Sequence, residues 1–191
     1  MSLRIVLLIL AIASYAVVGV AISFVFVRRG PARTGLWTLR VVVVLADIFA
    51  CWAIFAAESI SGVAGWSGLA ILLASDALFA WCVAATRGRP LCIAFSPDAP
   101  DRLLSRGPYA WSRHPFYSSY LLSYAAALVA TLNPWLLVPI ATVHTVLSAA
   151  ARQEEASFAR SCMARDYEEY SARVGRFMPR LRRLRLLTTH G

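Results

Sequence analysis

Long stretches without any charged side chain are the feature that most limits what this chain can fold into. Ile5 to Val27 contains no charge, and neither does the 36-residue run from Phe116 to Ala151. Because an α-helix rises 1.5 Å per residue, the first run covers about 35 Å, enough to cross a hydrocarbon core of about 30 Å. Arg28-Arg29 follows this run in place of a small-residue cleavage site, which favours a retained helix over a signal peptide. The chain is therefore predicted to be an integral membrane protein.

The apolar runs predict an all-α fold with five transmembrane helices. Asn133-Pro134 is a turn dipeptide near the middle of the 36-residue run, so this run is predicted to form a short hairpin of two helices, each of about 17–18 residues. Its second arm is expected to continue beyond Ala151 as an amphipathic helix. The three earlier helices are predicted at Ile5–Val27, about Thr38–Ala57 and about Gly65–Thr86. The chain then divides into three N-terminal transmembrane helices (1–86) and a region with the connector, the hairpin, a C-terminal helix and a basic tail (87–191).

The charges predict the orientation of these helices. Only 15% of the residues are charged, against 59% hydrophobic, and all 19 basic residues are arginine. All of them except Arg4 fall on segments that the five-helix topology assigns to one side of the membrane. The positive-inside rule then places the N-terminus outside and the C-terminus in the cytoplasm, and we expect a bacterial inner membrane. Charges kept out of such long runs argue against nucleic acid as a partner, and the bilayer is the predicted partner.

Two aspartates interrupt the apolar runs. Asp47 lies in the second predicted helix and Asp76 in the third. Carboxylates at membrane depth are costly and usually face protein or water, so we expect each to bond a neighbouring helix. An ion path through a small transporter or scaffold, with no enzymatic activity, is the alternative for these residues.

Two polar segments on the predicted cytoplasmic side carry the candidate site. In the first, Pro115 suits the first turn of the fourth helix, whose free N–H groups could seat an anion, and aromatic rings surround this point. In the second, Glu154 and Glu155 point about 100° apart, so at most one is expected to face a given pocket. Tyr167, Tyr170 and Arg173 are spaced by three and are predicted to share one face. The arginines from 173 to 185 are interpreted as a stretch that binds anionic lipid headgroups.

Carboxylates beside aromatic rings suit a ligand in which a positive charge adjoins an apolar or planar group. S-adenosylmethionine has such a sulfonium, with an amino acid and an adenine attached. The sequence shows no cluster of metal ligands, and none is expected.

The order of motifs resembles one family. Leu-Leu-x-x-Gly-Pro-Tyr-x-Trp-x-Arg-His-Pro-x-Tyr (103–117) precedes the Asn-Pro tip, Glu-Glu-x-x-Phe (154–158) and Tyr-x-x-Tyr-x-x-x-Val-x-Arg-x-x-Pro (167–179). This resembles the isoprenylcysteine carboxyl methyltransferase family and the related phospholipid methyltransferases. The resemblance implies an S-adenosylmethionine-dependent membrane methyltransferase with its cofactor site at the cytosolic face. By motif it implies these cofactor contacts: Leu103, Leu104, Tyr109, His114, Pro115, Phe116, Tyr117 and Glu154.

The chain departs from this family at one position. In members that modify prenylcysteine, an arginine four residues before the first glutamate is expected to hold the substrate carboxylate, and this position is Ala150 here. Arg152 lies about 200° around the helix from it. Glu155, Arg173 and Arg152 are the candidate catalytic residues, and Arg113, Tyr167 and Tyr170 the candidate substrate-binding residues.

The acceptor is expected to be a hydrophobic small molecule or a lipidated group. A prenylcysteine-like carboxylate is favoured, because it is ionised at neutral pH and needs no base. A lipid amine is the alternative, with Glu155 or His114 as the base that removes its proton. A membrane reductase of the sterol-reductase type, which binds a nicotinamide cofactor, is a further alternative.

Overall fold

The computed structural model describes residues 2–27, 34–86, 91–92 and 102–180, and the side chains of these residues except 22–27, 34, 91 and 92. Several arginines on which the predicted orientation rests lie outside the described residues: Arg28, Arg29, Arg33, Arg87, Arg89 and those beyond Arg180. The described part is almost entirely helical, which confirms the predicted class. Its helices are α1 (Leu3–Val25), α2 (Thr34–Ala56), α3 (Gly62–Thr86), α4 (Pro115–Thr131), α5 (Leu137–Ala159) and α6 (Ala164–Arg173).

Four of the described helices are long and apolar enough to cross a membrane: the spans lie in α1, α2, α3 and the segment Pro134–Ala159. The predicted count of five is not confirmed. α4 has 17 residues, and at 1.5 Å per residue it is about 25 Å long, short of a hydrocarbon core of about 30 Å. α5 runs on to Ala159, as expected for an arm that continues beyond Ala151.

The hairpin tip has the predicted Asn-Pro turn. α4 ends at Leu132, which adopts a left-handed backbone with φ of 52° and donates its N–H to the Leu128 carbonyl. The Asn133 side chain then accepts a bond of 3.0 Å from the Trp135 N–H and caps a short 3-10 helix, Pro134–Leu136, that leads into α5. Local bonding by the turn residues therefore reverses the chain between the two arms.

α3 and α4 pack more closely than any other pair of described helices. Gly68 of α3 lies directly against Ala126 and Ala130 of α4. A Cβ added at Gly68 would be 2.5 Å from the Ala130 Cβ and 2.8 Å from the Ala126 carbonyl oxygen. Small residues let two helix backbones approach this closely, and dispersion contacts then hold them together inside a membrane.

Polar bonds tie the N-terminal helices to their neighbours. Ser14 of α1 donates to Asp76 of α3 at 2.8 Å, and Tyr124 of α4 donates to Asp47 of α2 at 2.7 Å. Both aspartates therefore bond a neighbouring helix, as expected from the sequence.

Two short elements lie at the ends of α1 and α3. A two-residue strand after α1, Phe26–Val27, pairs in parallel with Leu91–Cys92, which follows α3. A 3-10 turn at Gly107–Ala110 packs against the end of α3, with Gly107 at a φ of +61° close to Trp81. The strand pairing was not predicted, because a two-residue pair has no periodic signal.

Candidate active site

His114 lies between the two adjacent glutamates of α5. Its Nδ1 is 3.4 Å from Glu154 Oε2, and its Nε2 is 3.2 Å from Glu155 Oε1. The expectation that only one of the two carboxylates faces a given pocket was therefore wrong. An imidazole has nitrogens on opposite sides of its ring, so it can bond two side chains that diverge by about 100°.

Glu155 is the centre of a cluster of charges. Its Oε1 accepts from Arg176 Nε at 3.0 Å and lies 3.2 Å from Arg113 Nη1, while its Oε2 accepts from Arg176 Nη2 at 2.7 Å. The pair with Arg176 is thus bidentate, the geometry in which a guanidinium binds a carboxylate most strongly. With His114 as a further partner, this carboxylate bonds three cationic side chains.

Glu154 is more open than Glu155. Tyr117 donates to Glu154 Oε1 at 2.5 Å, and the Tyr117 ring stacks on His114 with 5.4 Å between centroids and 3° between planes. The Glu154 side chain is 31% exposed, against 14% for Glu155. Glu154 can therefore accept further hydrogen bonds from a ligand that reaches it from solvent.

The segment Gly175–Phe177 lies alongside Ser112–His114 and covers the start of α4. Arg113 N–H donates to the Gly175 carbonyl at 2.9 Å, and His114 N–H to the Arg176 carbonyl at 3.0 Å. Ser112 Oγ donates to the Arg176 carbonyl as well, and Ser118 Oγ donates to the Phe177 carbonyl at 2.6 Å. The N–H groups of Arg113 and His114, just before α4, are thus used by this segment.

Tyrosines on α6 anchor the other side of the site. Tyr170 donates to the Tyr109 carbonyl at 2.7 Å, and Arg113 Nη1 donates to the Tyr167 hydroxyl at 3.1 Å. Tyr167 also stacks on Phe158 with 4.8 Å between centroids, and Leu103 packs against this buried cluster. α6 is therefore fixed to both polar segments that the sequence singled out.

The pKa values reflect this arrangement. Burial of His114 disfavours its charged form, but its hydrogen bonds to Glu154 and Glu155 outweigh burial and raise the pKa of His114 above its ordinary value. The hydrogen bond to Glu155 raises the pKa of Arg176. Burial, together with the charge of Glu155, raises the pKa of Tyr167 to about 12.

Two of the predicted catalytic residues lie away from the cluster. Arg152 and Arg173 are exposed, and Arg173 Nε donates to the Glu169 carbonyl of its own helix. The prediction that Arg173 shares a face with the two tyrosines was wrong. Each step of three residues falls 60° short of a full turn, so Arg173 is about 120° from Tyr167, while Tyr167 and Tyr170 are buried together.

The predicted cofactor residues separate into two groups. His114, Tyr117 and Glu154 are in direct contact, and Tyr109 lies close by. Phe116 instead packs edge-on against Phe79 of α3, with 5.4 Å between centroids. Pro115 is buried at the first turn of α4, as predicted, and Leu104 is half-buried.

Arg176 is the site residue that the sequence reasoning missed. It was assigned to the lipid-binding arginines, because no acidic residue follows it. Its position two residues after Val174, inside the last motif, is the signal that separates it from the arginines of the tail.

Several polar groups at the site fit an amino-acid-bearing cation such as S-adenosylmethionine. The Tyr109 hydroxyl and Arg113 Nε are buried and have no hydrogen-bond partner within the described residues. They offer bonds to a polar ligand, Glu154 offers a carboxylate to an ammonium group, and the half-buried Phe177 offers an aromatic ring to a sulfonium. The donor set therefore fits this group, and Glu154, Tyr109 and Tyr117 are the residues that would hold it.

Comparison with known proteins agrees with the motifs. The family model of phospholipid methyltransferase matches residues 86–168, a little under half of the chain. No curated protein and no solved structure matches. The matched segment contains the turn before α4, the hairpin, both glutamates and the start of α6. The resemblance found in the sequence is thus confirmed: over residues 86–168 the chain is similar to the phospholipid methyltransferase family, within the isoprenylcysteine carboxyl methyltransferase-like group.

Proposed function

We propose that the protein is a membrane methyltransferase that uses S-adenosylmethionine and modifies a lipidic acceptor, with a prenylcysteine-like carboxylate as the favoured acceptor. The family match supports methyl transfer on a lipid. Four helices of spanning length support a bilayer setting for the reaction.

The carboxylate assignment rests on one observation, which is that both candidate bases, Glu155 and His114, already bond other groups of the site. Glu155 already bonds Arg113, His114 and Arg176, and all three cationic side chains contact its Oε1. The raised pKa of His114 favours its protonated form, in which both nitrogens are donors. An amine acceptor needs a base to take its proton, whereas a carboxylate arrives ionised.

S-adenosylmethionine would supply an electrophilic methyl group on its sulfonium, which needs no metal. Glu154 would bind the ammonium group of this donor, with its carboxylate oriented by Tyr117 and His114. We place the acceptor carboxylate beside Arg113, whose buried Nε has no hydrogen-bond partner among the described residues, since Ala150 cannot hold it. The work of the protein is then chiefly to hold two reactants in line at about 3–3.5 Å.

Donor binding is the first test. The protein purified in detergent is titrated with S-adenosylmethionine by calorimetry, alongside Glu154→Gln, His114→Ala and the exposed control Arg152→Gln. We expect wild type and Arg152→Gln to bind with similar affinity, and the other two variants to bind at least about tenfold more weakly. Absence of binding by folded wild type, or binding of NADPH in its place, overturns the proposal.

The acceptor is tested in nanodiscs with methyl-labelled donor. N-acetyl-S-farnesylcysteine serves as the carboxylate probe and phosphatidylethanolamine as the amine probe. Label in a base-labile ester on the first probe is the expected result. Label on the amine probe alone would contradict the carboxylate assignment and would indicate an amine acceptor. Such an acceptor would require a base outside the cluster of Glu155 and His114.

The site is proposed to face the cytoplasm, as the arginine distribution predicts. Cys162 is exposed in the turn between α5 and α6, whereas Cys82 is buried. A membrane-impermeant maleimide should label Cys162 in inside-out vesicles and not in sealed right-side-out vesicles, with Cys162→Ser as the control. The reverse pattern contradicts this orientation.

A further inference from the structure

We infer that Arg176 is a positioning residue of the methyl-transfer site, which acts through Glu155 to hold His114 in place. This inference rests on the proposed function for its catalytic consequence. The geometric part stands on its own contacts. Arg176 lies beyond the segment that the family model matches, so the match does not assign it a role.

Arg176 sets the orientation of the Glu155 carboxylate. Arg176 binds both of its oxygens, at 3.0 Å and 2.7 Å, whereas Arg113 and His114 each approach Oε1 alone at 3.2 Å. A bidentate guanidinium fixes the plane of a carboxylate, and a contact to one oxygen does not. Arg176 is therefore the partner that fixes where Oε1 points.

The position of Glu155 Oε1 in turn helps to set the orientation of the His114 ring. The ring is bonded at both nitrogens, so its plane is set by Glu154 on one side and Glu155 on the other. Among the described residues, the charged or titratable groups facing it are these two glutamates from α5, Tyr117 from α4, Arg113 before α4, and Arg176. If Glu155 turns, His114 loses one of its two bonds, and the ring stacked on Tyr117 is free to rotate.

The backbone of Arg176 also contacts the residues just before the start of α4. Its backbone carbonyl accepts from both the His114 N–H and the Ser112 hydroxyl. The backbone of Arg176 therefore holds the backbone of His114, while its side chain holds the carboxylate bonded to the His114 ring. One residue thus constrains His114 at two points.

The direction in which the pKa of His114 changes when Arg176 is replaced distinguishes a positioning role from a simple effect of charge. If Arg176 acts only as a nearby positive charge, replacing it with glutamine raises the pKa of His114, because a repulsion is removed. If it positions Glu155, the freed carboxylate turns toward solvent, the hydrogen bond to His114 weakens, and the pKa of His114 falls.

The experiment is NMR titration of histidine-labelled protein in detergent, without donor or acceptor. The chain has three histidines, so His144 and His190 serve as internal references, and His114→Gln assigns the third signal. The variants are Arg176→Gln, Arg176→Lys, and the matched control Arg180→Gln. Arg180 follows Arg176 by four residues but donates to the Ala172 and Ser171 carbonyls.

We expect a lower His114 pKa in Arg176→Gln, a smaller decrease in Arg176→Lys, and no change in Arg180→Gln. In Arg176→Gln, kcat for N-acetyl-S-farnesylcysteine should fall by about 10–100-fold, with partial recovery in Arg176→Lys and no fall in Arg180→Gln. A His114 pKa that rises or stays constant overturns the inference. The titration needs no turnover, so this result is separate from failure of the proposed function, which would appear as an inactive wild type. If Arg176→Gln does not fold, the lysine variant decides by the same direction of shift.

Discussion

His114 places a pH-sensitive charge at the centre of the site. The pKa of histidine is ordinarily 6.5, and bonds to Glu154 and Glu155 raise it in the folded protein. A raised pKa means that the folded state holds the proton more tightly than the unfolded state. The resulting stabilisation is complete below about pH 6.5 and is lost as the pH rises through the raised pKa.

We therefore predict that His114→Gln reduces the pH dependence of unfolding. Between pH 6 and pH 9 the apparent unfolding temperature of wild type in detergent should decrease more steeply than that of the variant. Light scattering or intrinsic tryptophan fluorescence gives the midpoints. His144→Gln is the control, since the His144 side chain is exposed and packs only edge-on against Phe177 among the described rings. Parallel curves for wild type and His114→Gln would show that this proton does not stabilise the fold.

The sequence predicted which side chains belong to the site better than it predicted the contacts they make. His114, Tyr117 and Glu154 were identified by motif, and they are in contact. The partners of Glu155 were not identified, because Arg113 and Arg176 are 42 and 21 residues away from it along the chain. Contacts over such distances depend on how α4, α5 and the C-terminal segment pack, and no local spacing encodes that packing.

At the scale of elements, the closest helix contact depends on a missing side chain. A methyl group at Gly68 would meet the backbone and Cβ of Ala130 at under 3 Å, so α3 and α4 would have to separate. We predict that Gly68→Ala destabilises the protein by about 1–3 kcal/mol, the usual cost of overpacking. The apparent unfolding temperature in detergent measures the effect.

Gly19 of α1 provides the matched control for Gly68. No atom lies within 4 Å of a Cβ added there, so Gly19→Ala should be neutral or should stabilise by about 0.5–1 kcal/mol through helix propensity. Adding Ala130→Gly to Gly68→Ala should recover part of the loss. Equal effects of the two glycine substitutions would contradict the close α3–α4 contact.

The end of α4 allows a stabilising substitution. Leu132 has a φ of 52° and is 71% exposed, so its side chain strains the backbone and contributes little packing. Leu132→Gly is expected to stabilise the protein by about 1 kcal/mol, since glycine adopts this conformation without strain. Leu137→Gly, at an exposed position with a helical φ of −63°, should destabilise it. A lower unfolding temperature for Leu132→Gly would contradict this account of the turn.

The sequence predicted where the long helices form, but it predicted only in part which of them are long enough to cross a membrane. The apolar runs predicted the five longest helices of the described residues, and Asn133-Pro134 predicted the turn between α4 and α5. The predicted arm length of about 17–18 residues agrees with the 17 residues of α4, but the apolar run alone did not show where this helix ends, because its apolar character continues past Thr131 into Leu132 and the tip. Apolar composition indicates that a segment avoids water, and backbone bonding decides where its helix stops.

At the scale of the whole molecule, the boundary predicted at residue 87 separates segments that pack against each other. The candidate site lies entirely after it, yet α4, which carries Tyr117, packs chiefly on α3. Asp47 of α2 also accepts the bond from Tyr124 of α4. The N-terminal helices, which lie outside the family match except for residue 86, thus hold the element that begins at the site.

We predict that residues 87–191 expressed alone do not form a stable, monodisperse protein in detergent. Co-expressed with a tagged fragment 1–86, they should purify as a complex, because the α3–α4 contact and the Tyr124–Asp47 bond join the two chains. Gly68→Val in the first fragment should abolish co-purification, and Gly19→Val should leave it intact. A fragment 87–191 that is stable alone and binds S-adenosylmethionine would instead make the C-terminal region an independent domain. In that case the N-terminal helices would serve the acceptor or the membrane and would not be needed for the integrity of the site.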